Sequence, residues 1–101
     1  MTFSHDRIGI IGMGLMGSAV MKRTSAACGW DLDPSRCVNT ATANEVFSRC
    51  EVVFLCLPHS GIVRDVLTTA TLKPGLIVID TTTGDPAEMA ALGIELASKG
   101  I

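Results

Sequence analysis

Three short apolar runs punctuate the chain: Ile8-Gly9-Ile10-Ile11, Val52-Val53-Phe54-Leu55-Cys56-Leu57 and Leu76-Ile77-Val78-Ile79, closed by Gly12, Pro58 and Asp80. All three runs read as strands, and the near-continuous apolar character of the first suits a parallel strand covered on both faces. They predict strands over Arg7–Ile11, Glu51–Leu57 and Leu76–Asp80, after a polar lead-in at Met1–Asp6. Ala26–Asp31 reads as a further short strand.

Between these runs the apolar positions shift to helical spacing. From Leu15 to about Thr24, Met16, Ala19 and Val20 can share one face, and Met16 is read as a packing residue. After Ser60, a candidate cap, Val63, Val66, Leu67 and Ala70 recur as one stripe. In the last helix Asp85 caps, Pro86 takes the first position, and Glu88 completes a capping-box spacing. Met89, Leu92 and Leu96 should face its core, and Lys99-Gly100 closes it.

One connection is short. Ser35–Ala41 is too brief for a crossover helix of about 10–12 residues. Thr42-Ala43-Asn44-Glu45 has capping-box spacing, which predicts a helix of only Ala43–Arg49 with Val46, Phe47 and Cys50 on its apolar face.

The first strand runs straight into Gly12-Met13-Gly14-Leu15-Met16-Gly17, a Gly-x-Gly-x-x-Gly spacing. The three glycines serve different ends. Gly12 makes the turn, Gly14 lets the backbone approach a pyrophosphate, and Gly17 lets the helix pack against the sheet. The helix N-terminus then offers unpaired N–H groups to an anion. A dinucleotide is the ligand this geometry suits. Asp31, at the end of the second strand, can accept hydrogen bonds from an adenosine ribose while repelling a 2′-phosphate, which favours NAD over NADP. Asp31 and Asp33 also read as plain turn formers before Pro34, and Arg36 leaves room for a phosphate. Asp80-Thr81-Thr82-Thr83-Gly84 follows the fourth strand, at the sheet edge where ligands bind in open α/β folds.

At 101 residues there is room for one domain. With 48% of residues hydrophobic and 18% charged, the chain is built to bury a core. A net charge of −2 gives no reason to bind nucleic acid or an acidic membrane surface. One tryptophan, three phenylalanines and no tyrosine leave no stacking platform for bases. Asp6, the glycines after Ile8 and Lys22-Arg23 argue against a secretory signal, and no apolar run reaches the length of about 18 residues that spans a membrane. Cys28, Cys37, Cys50 and Cys56 lack Cys-x-x-Cys spacing, and His5 and His59 form no local pair, so zinc is not indicated. They read as reduced, mostly buried residues of a cytoplasmic protein.

Together these residues resemble the N-terminal coenzyme domain of the β-hydroxyacid dehydrogenases, the family of 3-hydroxyisobutyrate and 6-phosphogluconate dehydrogenases. The most specific element is Gly9-x-x-Gly12-x-Gly14-x-Met16-Gly17. Leu57-Pro58 is similar to that family's Leu-Pro, and Asp80-Thr81-Thr82-Thr83 to its Asp-x-Ser-Thr. The chain departs from the pattern at Met21, Arg23 and Ile62, and in the shortened connections before Asp31 and after Pro34.

The resemblance implies an α/β fold: a Rossmann-type parallel sheet of about four strands with helices on both faces, shortened around the second crossover. It implies a dinucleotide-binding domain over residues 1–101, with Gly12, Met13, Gly14, Leu15, Met16, Asp31, Leu32, Leu57, Pro58 and Thr83 touching the coenzyme. The implied activity is hydride transfer between NAD(P) and a small 3-hydroxy acid. The family's substrate-holding Asp-x-Pro-Val-Ser-Gly-Gly segment and the helical domain with its catalytic lysine have no match here, so the chain reads as truncated. Turnover by it alone is not expected. Lys22, Lys73 and Lys99 read as solvated charges. Uncovered apolar surface would favour self-association or a low melting temperature. Two other readings stand beside this one: a non-catalytic nucleotide- or partner-binding module, and a degenerate remnant that binds nothing.

Overall fold

The computed structural model describes residues 5–101; most of the predicted lead-in, Met1–Ser4, lies outside the described residues. Four parallel strands, β1 (Ile8–Ile11), β2 (Cys28–Trp30), β3 (Val52–Leu55) and β4 (Ile77–Asp80), form one sheet in the order β2-β1-β3-β4. The helices are α1 (Leu15–Thr24), α2 (Ala43–Arg49), α3 (Ser60–Thr69) and α4 (Pro86–Ala97). The expected α/β architecture is therefore present.

Register decides which side chains meet. Ile8 and Ile10 lie beside Val52 and Phe54, which lie beside Ile77 and Ile79. Because side chains alternate along a strand, all six point to one face, and Gly9, Ile11, Val53, Leu55 and Val78 point to the other. On that second face Ile11, Val53 and Leu55 pack with Val46 and Phe47 of α2, Val63 and Leu67 of α3, and Leu92 of α4. The first face carries α1 alone, seated over Ile10. Helices cover both faces as expected, but three stand against one. Ile77 and Ile79 consequently remain 42% and 40% exposed.

The second crossover is short because a sealed edge replaces a longer segment. After a 3-10 turn at Pro34–Arg36, Val38 meets Gly29 in a single antiparallel bridge. Its N–H donates to Gly29 O at 2.8 Å, and the Gly29 N–H returns a bond to Val38 O at 2.9 Å. This pairs the free edge of β2 at its middle residue. Thr42 then caps α2 by accepting from the Glu45 N–H at 3.2 Å, as its spacing predicts.

The strand ends are shorter than the apolar runs. Leu57, predicted inside the third strand, turns its N–H to Thr82 Oγ1 at 3.0 Å instead of to a neighbouring strand. Asp85 does cap α4, accepting from the N–H groups of Ala87 and Glu88 at 2.8 and 3.2 Å. Gly100, at φ 82°, closes that helix: Gly100 N bonds Ala97 O and Ile101 N bonds Leu96 O, the paired pattern of a left-handed C-terminal stop.

Two expectations need correcting. Ser60 does not cap α3, whose N-cap is His59 with no side-chain bond. The Ser60 hydroxyl is buried and donates to Glu88 Oε2 at 2.8 Å, tying the start of α3 to the start of α4. Nor does Met16 pack inward, for it is 58% exposed. The inward contact of α1 is Gly17, with Val20 and Met21 half-buried beyond it. Seated this closely over β1, the helix leaves nothing opposite Met16.

Candidate functional site

All four strands point their C-terminal ends to one edge, where β1 and β3, adjacent in the sheet, send their helices to opposite faces. Such a divergence opens a crevice. Here it is an open cleft of about 550 Å³ lined on one side by Gly12, Gly14, Trp30, Asp31, Leu32 and Arg36. Cys56, Leu57, Pro58, Ile62 and Val66 line the other side.

The glycine elbow is the floor of the cleft. Gly12 sits at φ 98°, left-handed backbone that side chains disfavour, and a Cβ there would collide with the carbonyl oxygen of Cys56. The Gly12 N–H donates to Trp30 O at 2.8 Å, which ties the elbow to β2. Gly17 packs so tightly on the Gly12 carbonyl that no Cβ fits between them. Gly14 differs: the nearest atom to a Cβ there is Arg36 Nη1 at 4.0 Å. The fold leaves that position bare toward the cleft.

As N-cap of α1, Gly14 provides no side chain to satisfy the first N–H groups, and the first turn carries no acidic residue. An anion is favoured beside those groups by hydrogen bonding and by the helix dipole. The Arg36 guanidinium adds positive charge, its Nε lying 3.6 Å from Asp33 Oδ2 in an exposed ion pair. The Asp33 carboxyl is itself held below the usual carboxylate range, mainly by hydrogen bonds from Ser35.

Asp31 does more than its sequence position suggests. Its Oδ2 accepts from the Met13 N–H at 2.8 Å and its Oδ1 from the Asp33 N–H at 2.8 Å. One carboxylate thus clamps the glycine elbow to the loop after β2. Each oxygen keeps a lone pair for a further donor. Asp31→Ala is expected to lower folding stability by about 1–2 kcal/mol, since it strands the part-buried Met13 N–H that a charged group had satisfied, while the exposed Asp33 N–H turns to water. Urea denaturation measures this, and a loss below about 0.5 kcal/mol would show the clamp to be idle.

Of the residues named from sequence, Gly12, Gly14, Asp31, Leu32, Leu57 and Pro58 line this single cleft. Met13 lies buried beneath it, joined through its N–H. Leu15 and Met16 begin α1 and are 96% and 58% exposed. Thr83 is exposed in the loop after β4 and does not line the cleft; its neighbour Thr82 holds the Leu57 N–H. Trp30, Cys56 and Val66 also line the cleft, although the sequence offers Cys56 and Val66 only as strand and helix-stripe positions and none of the three as a site residue. Ile62 and Val66, four apart on α3, share a face, and that spacing is the one signal by which Val66 could be found.

A family model described as the NAD binding domain of 6-phosphogluconate dehydrogenase matches residues 7–101. The chain belongs to that family.

Two curated relatives are the cytokine-like nuclear factor N-PAC of Xenopus tropicalis and that of Danio rerio, each 26% identical. The alignments cover 96% and 98% of this chain but 21% and 25% of those proteins. Among solved structures, Mycobacterium tuberculosis 3-hydroxyisobutyrate dehydrogenase superposes with a TM-score of 0.79 at 24% identity, over 92% of this chain and 37% of that one. The Salmonella typhimurium 3-hydroxyisobutyrate dehydrogenase gives 0.77 at 24%, over 92% and 38%. These superpositions carry the fold. Among the described residues no helix is long and apolar enough to cross a membrane.

Proposed function

We propose that this chain is the coenzyme-holding domain of an oxidoreductase that passes hydride between NAD and a small 3-hydroxy acid. The observation that carries the reading is the bare Gly14 elbow opening on the same cleft as Asp31. Gly14 and the first turn of α1 would hold the diphosphate, with Arg36 beside them. Asp31 would hold the adenosine ribose through its free lone pairs, and Leu32 and the Ile62–Val66 face would hold the adenine. Leu57 and Pro58 would flank the coenzyme along the far wall of the cleft, and contacts from Leu15, Met16 and Thr83 at the nicotinamide end belong to this proposal alone.

NAD is preferred to NADP because Asp31 is a fixed carboxylate at the ribose. A 2′-phosphate would place like charges together, and Arg36 would have to leave Asp33 to offset them. This reading gives the proton-transfer role to none of Lys22, Lys73 and Lys99, which are exposed, with Lys73 Nζ donating to Ser48 O at 2.9 Å. The chain's own contribution is binding and orientation, and the 3-hydroxy acid requires residues outside these 101.

Titration with NADH and NADPH, followed by coenzyme fluorescence, tests the assignment. Saturable binding with NADH at least about tenfold tighter, a difference of about 1.4 kcal/mol, is expected. No saturable change with either coenzyme would leave a remnant that binds nothing.

A second reading has one observation in its favour: the curated relatives are named as nuclear factors and not as dehydrogenases. In that reading the domain binds coenzyme without turnover, as part of a partner-binding protein. Reading the coding sequence past Ile101 separates the two. An in-frame Pro-Val-Ser-Gly-Gly and a downstream lysine motif support the enzyme, and their replacement by unrelated sequence supports the module.

A further inference from the structure

Away from the cleft, two thiols share the buried side of the sheet. Cys28 on β2 and Cys50 at the C-terminal end of α2 are both fully buried, and their sulfurs lie 3.6 Å apart. Neither sulfur lines the cleft. The approach is built into the ladder, because Gly9 is the register partner of Cys28 on β1. A Cβ at Gly9 would stand 2.7 Å from Cys50 Sγ, so the bare position is what admits that sulfur beside β2.

We propose that Cys28 and Cys50 are a redox modification site, a dithiol that hydrogen peroxide converts to a disulfide joining β2 to α2. A bonded pair needs a sulfur separation of about 2.05 Å, so side-chain rotation with a small shift of α2 must bring the two together. Cys50 is the C-cap of this seven-residue helix, and opening a helix end costs less than opening its middle, which Val46 and Phe47 anchor in the core. Such opening also admits peroxide, which is small and uncharged.

The two thiols are unequal. Cys28 is held down to about 7 by its hydrogen bond with Cys50, with Arg49 adding to this while burial and Glu45 oppose it. Cys50 is pushed up, first by the same bond and then by burial. Cys28 is therefore the attacking sulfur. Its thiolate takes one oxygen from peroxide, and hydroxide leaves with the electron pair of the broken O–O bond. Cys50 sulfur then attacks the resulting Cys28 sulfenic acid, losing its proton as the S–S bond forms and the oxygen departs as water. Two thiols and one peroxide give one disulfide and two waters.

The half-buried Cys37 and Cys56 are removed first, as Cys37→Ser/Cys56→Ser, so that only this pair remains. The reduced protein is treated with hydrogen peroxide, then unfolded in denaturant with iodoacetamide and analysed by mass spectrometry. Expected are a loss of two hydrogens, no alkylation, a peptide linking Cys28 to Cys50, and full reversal by dithiothreitol. The melting temperature should rise by roughly 10 °C on oxidation, since the bond closes a loop of more than 20 residues. In Cys50→Ser, Cys28 should stop at a sulfenic acid that dimedone traps. If that variant fails to fold, the linked peptide in the double variant still decides. Both cysteines alkylated after peroxide, or Cys28 taken on to sulfinic acid without a link, would overturn the proposal.

Discussion

Gly14→Val is expected to leave the chain folded while weakening NADH binding at least about 100-fold, or about 2.7 kcal/mol. The two halves of this result come from different features of one residue. A Cβ at Gly14 meets nothing nearer than the tip of Arg36 at 4.0 Å, and the backbone is extended at φ −76°, with no positive φ to penalise a side chain. The folded state is therefore spared, apart from a poorer N-cap that lowers the melting temperature by about 5 °C at most. The bound state is not spared, because the branched carbons occupy the space where a diphosphate must approach the first-turn N–H groups. Fluorescence titration beside a thermal melt gives both readings from one preparation. Unchanged affinity in a folded Gly14→Val protein would mean that the elbow is not the site. Gly14→Ala, with one carbon instead of three, should fall between parent and valine.

The order of strands and helices is legible in the sequence because it rests on local rules. Thr42 and Asp85 cap as their spacing predicts, since a hydroxyl or carboxylate at such a position reaches an N–H two or three residues ahead whatever the rest of the chain does. Ser60 has the same local qualification and fails it. Its hydroxyl finds Glu88, 28 positions away, and only the packing of α3 on α4 makes that partner available. Asp31 shows a subtler limit. Its place at the end of β2 points to the cleft, but its clamp on Met13 depends on how close the elbow comes to β2, which no spacing encodes.

The run at Leu76–Ile79 predicts a strand and leaves its covering open. Ile77 and Ile79 alternate with Val78 and Asp80, so the two pairs point to opposite faces of the sheet. Only Val78 joins the buried cluster, because α2, α3 and α4 all lie on its face of the sheet. The same asymmetry explains Met16: helical spacing says which residues share a face, not whether anything stands opposite. Periodicity thus reports a sheet's capacity to be covered, and the crossovers decide whether it is.

Gly17→Ala is expected to destabilise the fold by roughly 3 kcal/mol or more, an overpacking cost at the upper end for a single added carbon. The new Cβ would fall on the carbonyl oxygen of Gly12, with Ile10 Cγ2 only 3.4 Å away. Relief requires α1 to lift from the sheet or Gly12 to move, and neither is free. Gly12 is held by its bond to Trp30 O, Met13 by Asp31, and the backbone of Cys56 closes the opposite side. The melting temperature should fall by more than about 10 °C, at about 4–8 °C per kcal/mol for a domain of this size. Gly93→Ala supplies the control within the same protein. Gly93 also lies inside a helix, but a Cβ there meets nothing within 4 Å. Removing its backbone freedom should stabilise by about 0.5–1 kcal/mol. The same chemical change therefore carries opposite signs at two helical glycines. A Gly17→Ala protein that melts within a few degrees of the parent would show that α1 does not rest on the elbow, and the cleft geometry that depends on that seat would fail with it.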